Sequence, residues 1–254
     1  MEGQMQTAYD GRLRIWNRDA IKYIAMLTML LNHIAHIFLT RGTTLYEVLE
    51  DIGFFTAPVM CYFLVEGYEH TRSKVKYGFR LALFAAISQI PFHLAFGYQS
   101  LNMIFTLFCC FLLLIVMERV DNTPLRIGLG MPLIIATVFA DWGVVAPLFT
   151  IFFYNGRGDR KQIAKGFGIC YLIFAVLNVQ NYMNGVPGNW TMYAVVHSLI
   201  SGFGILAAGI VVLFFYNGKR TERGKNFSKW FFYLFYPGHL LVLYLIKLGM
   251  SHMR

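Results

Sequence analysis

The sequence predicts an all-α fold, a polytopic bundle of about nine transmembrane helices (8–10). Three observations predict it. Of the 254 residues, 57% are hydrophobic and 14% are charged, whereas a soluble domain carries about 25% charged residues. Several runs reach the roughly 20 apolar residues that a helix needs to cross a bilayer. The basic residues lie in the short segments between these runs, which is typical of membrane proteins.

Hydropathy divides the chain into a polar, basic N-terminal segment, residues 1–19, and a single membrane domain, residues 20–250. Nine spans are predicted within that domain, at about 20–39, 52–69, 79–97, 103–118, 125–140, 142–154, 166–179, 192–216 and 230–248. The sixth and seventh are short, which predicts that they are tilted, re-entrant or shielded by neighbouring helices.

The distribution of positive charge predicts the orientation of the chain. With a cytoplasmic N-terminus, 19 of the 22 Lys and Arg residues lie on the inner side, and only Arg41, Lys247 and Arg254 lie outside. This asymmetry obeys the positive-inside rule. The net charge of +9 is therefore explained by topology and by contact with anionic bilayer lipid, and nucleic acid is not predicted as a partner.

The cysteines predict neither a disulfide framework nor a metal site. All four lie within apolar runs, and no CxxC or mixed Cys/His spacing occurs: Cys61, Cys109, Cys110 and Cys170. We interpret them as small apolar packing residues.

Polar residues at membrane depth point to a site. Asn32 and His33 lie inside the apolar run 20–39, and His239 lies inside the last span. Such residues are costly in hydrocarbon and often mark function, because histidine can take and return a proton near neutral pH. Asp141, in the predicted outer turn between the fifth and sixth spans, is a candidate carboxylate to orient a histidine. The alternatives are a helix–helix hydrogen bond for the polar pair and an N-cap for Asp141.

A second cluster lies at the predicted inner face. Glu66 and His70 are four residues apart and share one helix face. Four cations follow them within a few residues: Arg72, Lys74, Lys76 and Arg80. The cluster predicts a site for the phosphates of a polyanion. The alternative is a positive-inside loop that anchors the protein to lipid.

Seven motifs in chain order resemble those of the TraX family, named for a conjugal-transfer pilin acetylation protein. They are IAMLTMLLNHIAHIF at 24–38, VEGYEHTR at 65–72 with the basic residues after it, ISQIPF at 87–92, NMIFTL at 102–107, ADWG at 140–143, YNG at 154–156 and FYPGHL at 235–240. The resemblance covers residues 15 to 246. One difference is that the family usually has Asp-His where this chain has Asn32-His33, and an Asn can hydrogen-bond but cannot accept a proton.

The resemblance implies an integral membrane acyltransferase of the bacterial cytoplasmic membrane. It would move an acetyl group from cytosolic acetyl-CoA to an acceptor, for which the N-terminal amine of an exported peptide is the family's precedent. We expect the cluster 66–80 to hold the phosphates and His33 to act as general base or acyl carrier. Asn32 is expected to donate to the oxyanion, and Asp141 or His239 to orient the base.

Two other classes of function fit the sequence. A small-solute or proton-coupled transporter would also use buried histidine and Glu66, although no convincing inverted repeat is present. A non-catalytic membrane scaffold would explain the aromatic residues and basic loops.

Overall fold

The computed structural model describes residues 13–97, 100–183, 191–221 and 224–252. Residues 1–12 of the predicted N-terminal segment, together with Arg223 and Arg254, lie outside the described residues. The described chain is helical, and a π-helical turn, Val211–Phe215, continues α10. The α-helices are α1 Arg18–Phe38, α2 Thr44–Gly53, α3 Thr56–His70, α4 Lys74–Phe96, α5 Met103–Arg119, α6 Thr123–Thr137, α7 Val145–Asn155, α8 Arg160–Met183, α9 Thr191–Ser201, α10 Phe203–Ile210 and α11 Lys225–His252.

Side-chain caps explain where several helices begin. The carboxamide oxygen of Asn17 accepts a hydrogen bond from Ala20 N (2.9 Å) at the start of α1. Asn102 accepts from Ile104 N and Phe105 N at the start of α5, and Asn122 accepts from Leu125 N at the start of α6. These bonds satisfy backbone donors that the helix itself leaves without partners. At the other end of α4, Gly97 adopts a positive φ of 76° and terminates the helix.

The structure confirms an all-helical membrane fold, and it describes six helical segments long and apolar enough to cross a bilayer. They are Arg18–Phe38, Thr44–His70, Lys74–Phe96, Arg160–Gln180, Met192–Phe215 and Asn226–His252. The helices α5, α6 and α7 also coincide with predicted spans, but they are shorter than these six segments. The total of nine spans and the cytoplasmic N-terminus stay predictions.

Two boundaries differ from the sequence prediction. The seventh span, predicted as short, is the long helix α8, because its polar ends lower the local hydropathy without ending the helix. The helix α2 was not predicted, since its ten residues include three carboxylates and form a separate element just before α3.

The helix α3 lies at the centre of the bundle and packs against α1, α5, α7 and α10. Its buried side chains include Val59, Phe63, Leu64 and Tyr68. The helix α11 packs along α4 and also contacts α1, which brings the last helix of the chain beside the first. The site described below lies between α1, α3, α4, α5 and α11.

Ion pairs place several basic segments at one end of the bundle. Arg157 pairs with Glu69 at the end of α3 (2.9 Å), Lys74 pairs with Glu118 at the end of α5, and Arg18 lies 3.6 Å from Glu66. The backbone of Trp16 is paired with the segment after the π-helical turn, through Trp16 N to Phe215 O and Asn217 N to Trp16 O. Basic residues that the sequence predicts on the inner side of the membrane therefore lie together at one end of the helical bundle.

Candidate active site

Two histidines 206 residues apart in the sequence form a buried hydrogen-bonded pair. Nδ1 of His33, on α1, lies 2.7 Å from Nε2 of His239, on α11. His33 is 5% exposed and His239 8% exposed. The ring of Phe96 lies edge-on to His33 with a centroid distance of 5.1 Å, and the ring of Phe235 lies 4.8 Å from that of His239. The pair is thus enclosed by aromatic rings, away from bulk water.

A cavity of about 980 Å³ begins at the basic end of the bundle and runs toward this pair. Such a volume lies at the upper end of the range for small-molecule sites. Its inner end is mostly apolar and includes Met29, Met103 and Tyr236. Met29 lies one helical turn before His33, and the ring of Tyr236 is 6.3 Å from that of His33. The cavity therefore ends about one helical turn short of the histidine pair.

The mouth of the cavity is rich in cations. Six Lys and Arg side chains of the described residues line it: Arg18, Lys22, Arg72, Arg80, Arg220 and Lys229. Two carboxylates, Asp19 and Glu66, also line it, and both have partners. Glu66 accepts a hydrogen bond from the hydroxyl of Tyr216 and lies 3.6 Å from Arg18, while Asp19 accepts from Thr221 N (3.3 Å). The excess of positive charge favours an anionic ligand.

The structure brings part of the predicted basic cluster to this cavity. Glu66, His70, Arg72 and Arg80 line it, whereas Lys74 and Lys76 are not among its described lining residues. Lys74 instead hydrogen-bonds Glu118 and lies over the ring of Tyr68, 4.3 Å from its centroid. The cations of α1 and of residues 220–229 were missed, because only the folded chain shows that these segments share the cavity.

Asn32 and His33 are neighbours in sequence but face different helices. The amide of Asn32 donates to the backbone oxygen of Glu50 on α2 (3.2 Å). A Cβ on Gly53 would lie 2.3 Å from Cβ of Asn32, so α1 and α2 approach each other closely at this point. This contact is a helix–helix hydrogen bond, one of the two alternatives that the sequence left open.

Asp141 lies near His36 rather than beside His33. Its carboxylate accepts a hydrogen bond from the backbone of Trp142 and interacts electrostatically with His36. Burial raises the pKa of Asp141 to about 6. Asp141 does not cap α7, which begins after Val144 and has no side-chain cap. Trp142 and Val144 both have positive φ angles, 58° and 63°, so this turn is strained.

His36 belongs to a polar cluster that sequence reasoning missed. Tyr46 donates a hydrogen bond to Glu50 (3.0 Å), and the same hydroxyl lies 3.0 Å from Nδ1 of His36. Nε2 of His36 lies 3.3 Å from Glu50. The signal was the group of carboxylates within residues 47–51, but its partner could not be identified without the fold. Within the described ranges, no three His, Cys, Asp or Glu side chains converge as a metal site.

These features define a class of protein: a multi-pass helical membrane protein with a cationic cavity that leads from one end of the bundle toward a buried histidine pair. Comparison with known proteins identifies the family. Residues 17–247 match the family model described as TraX protein, so the chain belongs to the TraX family, as its motifs predicted. It is a multi-pass protein of a bacterial membrane.

One relative extends the comparison along nearly the full chain. The probable fimbrial assembly protein FimC, serogroup H1, of Dichelobacter nodosus is 35% identical over 241 residues, which is 88% of this chain and 92% of that protein. No solved structure matches the chain.

Proposed function

We propose that the protein is an integral membrane acyltransferase. It moves an acetyl group from acetyl-CoA to an acceptor amine or hydroxyl, with the N-terminal amine of an exported peptide as the preferred acceptor. One observation carries the proposal: the cavity has a cationic mouth and an apolar inner end, and it points at the buried pair of His33 and His239. A polyanionic donor with a long arm and a reactive far end matches that arrangement.

The mouth offers suitable partners for the phosphates of acetyl-CoA. Nε of Arg80 is buried without a hydrogen-bond partner, although Arg80 lines the cavity. An unsatisfied buried donor is costly and is stabilised when an anion binds it. Arg18 and Arg220 come from other segments of the same lining, so the cations surround the mouth rather than forming a single row.

The length of α1 suits a donor that extends through the cavity. Arg18 and His33 are fifteen residues apart on this helix, which is roughly 22 Å at 1.5 Å per residue. The inner lining also contains the hydroxyl of Tyr236, which accepts a hydrogen bond from Met103 N (3.3 Å). A donor held by its phosphates at the mouth would thus direct its thioester toward His33.

His33 supplies the chemistry in this proposal. As general base it takes a proton from the acceptor while the acceptor nitrogen or oxygen attacks the thioester carbon. The carbon–sulfur bond then breaks, and the proton passes to the leaving sulfur, which gives free thiol and acetylated acceptor. As acyl carrier, His33 would itself receive the acetyl group and transfer it in a second step.

The name of the relative supports the choice of acceptor. That protein is described as a probable fimbrial assembly protein, and fimbriae are built from exported polypeptide subunits. We therefore propose the N-terminus of such a subunit as the first acceptor to test, at or across the membrane.

The test uses purified protein reconstituted in lipid nanodiscs with acetyl-CoA labelled in its acetyl group. We expect acetyl-CoA to raise the thermal unfolding midpoint and label to appear on the N-terminus of an acceptor peptide. His33→Ala should lower transfer by about 10² to 10⁴ but retain the stabilisation. His252→Ala is a matched control, since His252 lies exposed near the end of α11.

One outcome would overturn the proposal, and another would overturn only the role of His33. A transporter or scaffold would show no stabilisation by acetyl-CoA and no labelled peptide with any acceptor tested. Transfer at the wild-type rate by His33→Ala would remove the role given to His33.

A further inference from the structure

We propose that His239 is a positioning residue that fixes the ring of His33 in one tautomer, with Nδ1 protonated and Nε2 free. The nitrogen that reacts is then Nε2 of His33. The part of this inference that concerns reaction rests on the proposed function, whereas the tautomer itself is a property of the folded protein.

The two imidazole rings meet edge to edge. Their planes are within 11° of parallel and their centroids are 5.0 Å apart. With the centroids this far apart, a nitrogen-to-nitrogen distance as short as 2.7 Å requires both nitrogens to lie close to the line that joins the centroids. The contact is therefore a hydrogen bond in the ring plane, along the lone-pair direction, which is its favourable geometry.

The direction of this bond follows from the other nitrogen of His239. Nδ1 of His239 lies 2.7 Å from the backbone oxygen of Phe235. A carbonyl oxygen can only accept, so Nδ1 of His239 carries the proton. In the neutral ring Nε2 is then an acceptor, and the proton in the bond between the histidines belongs to His33. With Nδ1 protonated, Nε2 of neutral His33 carries a lone pair.

Packing holds His239 in the required orientation. The ring of Phe235 lies within 18° of parallel to it, at a centroid distance of 4.8 Å, and the ring of Tyr236 packs edge-on at 5.7 Å. Both rings come from the same helix as His239, so the acceptor and its support move together. His33 is held from the other side by the edge of Phe96.

The group that accepts the hydrogen bond from His33 is a neutral imidazole and not a carboxylate. Glu50 of α2, the helix that follows α1, pairs with His36 instead of His33. When Nε2 of His33 takes a proton, Nδ1 of His33 still donates to Nε2 of His239, and Nδ1 of His239 still donates to the Phe235 carbonyl. His239 thus keeps the ring of His33 in one orientation in both protonation states.

The first experiment measures the tautomer without any acyl transfer. Solid-state NMR of the full protein in lipid, with histidine labelled by ¹⁵N, reports which ring nitrogens are protonated, and the His33 signals are assigned by their loss in His33→Gln. We expect a protonated Nδ1 and an unprotonated Nε2. The opposite pattern for His33 would overturn the inference.

The second experiment uses two substitutions of the positioning residue. His239→Phe keeps an aromatic ring but removes the acceptor. We expect kcat to fall about 10- to 100-fold, the range seen when partners that orient metal-bound histidines are lost, with the KM for acetyl-CoA nearly unchanged. His239→Gln offers an amide oxygen in place of Nε2 and should recover most of kcat and the wild-type tautomer. Equal losses in both variants would indicate a packing role and contradict the inference.

The two experiments separate this inference from the proposed function. If the NMR pattern is as expected but no acceptor is acetylated, the proposed function fails and the tautomer assignment stands. If peptide is acetylated at the wild-type rate by His239→Phe, the enzyme assignment stands and the positioning role fails.

Discussion

The cationic mouth of the cavity and the histidine pair beyond its inner end are built in opposite ways. Among the described residues, six cations from several segments of the chain form the mouth. The pair consists of two rings joined by one in-plane bond of 2.7 Å and enclosed by aromatic side chains. The mouth attracts an anionic ligand through charge, which acts over distance. The orientation of the pair depends on the direction and length of a single hydrogen bond.

This difference predicts two kinds of response to substitution. Neutralising a cation weakens a summed field by a fraction and should mainly change the binding of the donor. Displacing a ring in the pair removes a geometry that no other residue supplies and should mainly change turnover. The predictions below test this division, beginning with the largest effect.

The histidines of α1 provide the sharpest contrast. We expect His33→Ala to lower kcat by about 10² to 10⁴, the contribution of a positioned general acid or base, and to leave the KM for acetyl-CoA within a few-fold. His36→Ala, one turn further on, should change kcat little, because His36 contacts Tyr46 and Glu50 instead of His239. Steady-state kinetics in nanodiscs measures both. A His36→Ala loss as large as that of His33→Ala would break the distinction.

At the mouth we expect effects on KM that grow with the number of charges removed. Arg80→Gln should raise the KM for acetyl-CoA about tenfold, equivalent to 1.4 kcal/mol, and adding Arg220→Gln should raise it further while kcat stays near wild type. Higher salt should reduce the difference between variant and wild type, because salt screens exposed charges. Lys74→Gln is the matched control.

The control tests which cations belong to the mouth. Lys74 follows the same helix end but is paired with Glu118, and exposed ion pairs contribute about 0–1 kcal/mol to stability. Its substitution should therefore change stability little, and because Lys74 does not line the cavity, the KM for acetyl-CoA should stay unchanged. A rise in KM for Lys74→Gln equal to that for Arg80→Gln would show that the donor binds outside the cavity described here.

The sequence predicts the helices far better than it predicts the site. Apolar runs of suitable length place all nine predicted spans on helices, because burial in lipid requires each run to satisfy its own backbone hydrogen bonds. Contacts between distant helices leave no such local signal. The bond between His33 and His239 joins residues 206 positions apart. Asn32 faces α2 instead of this pair, because neighbouring positions of a helix point in different directions.

Some features could have been inferred from the sequence and were not. The carboxylates Glu47, Glu50 and Asp51 lie close together before an apolar span, which is typical of a short helix at the membrane boundary. The choice among the basic residues of 66–80 could not be made, since Lys74 and Arg80 lie on different faces of α4 and only the packing shows which face lines the cavity.

The close approach of α1 and α2 should be sensitive to one methyl group. Gly53→Ala would place Cβ 2.3 Å from Cβ of Asn32, so the helices must separate. We expect a loss of about 2 kcal/mol in the free energy of unfolding, within the usual range for overpacking. Thermal unfolding followed by circular dichroism measures it. Asn32→Gly combined with Gly53→Ala should recover part of the loss, and a fully additive double variant would contradict the contact.

The smallest effect concerns Asp141, and it depends on pH. Burial raises the pKa of this carboxyl from 3.8 to about 6 in the folded protein. Between these two values the unfolded chain loses the proton and the folded chain keeps it, so stability falls as pH rises and the full penalty is present above pH 6. Asp141→Asn removes the penalty. Because the side chain is partly exposed, we expect a gain of about 1 kcal/mol at pH 7 and a rise of a few degrees in the unfolding midpoint. At pH 4, close to the unfolded pKa, the gain should be only a small part of this. Asp121→Asn, at an exposed loop position, should give no such difference between the two pH values. If Asp141→Asn destabilised the protein more at pH 7 than at pH 4, the ionised carboxylate would be stabilising the fold. The strained turn 141–144 would then depend on one specific contact, as the histidine pair does.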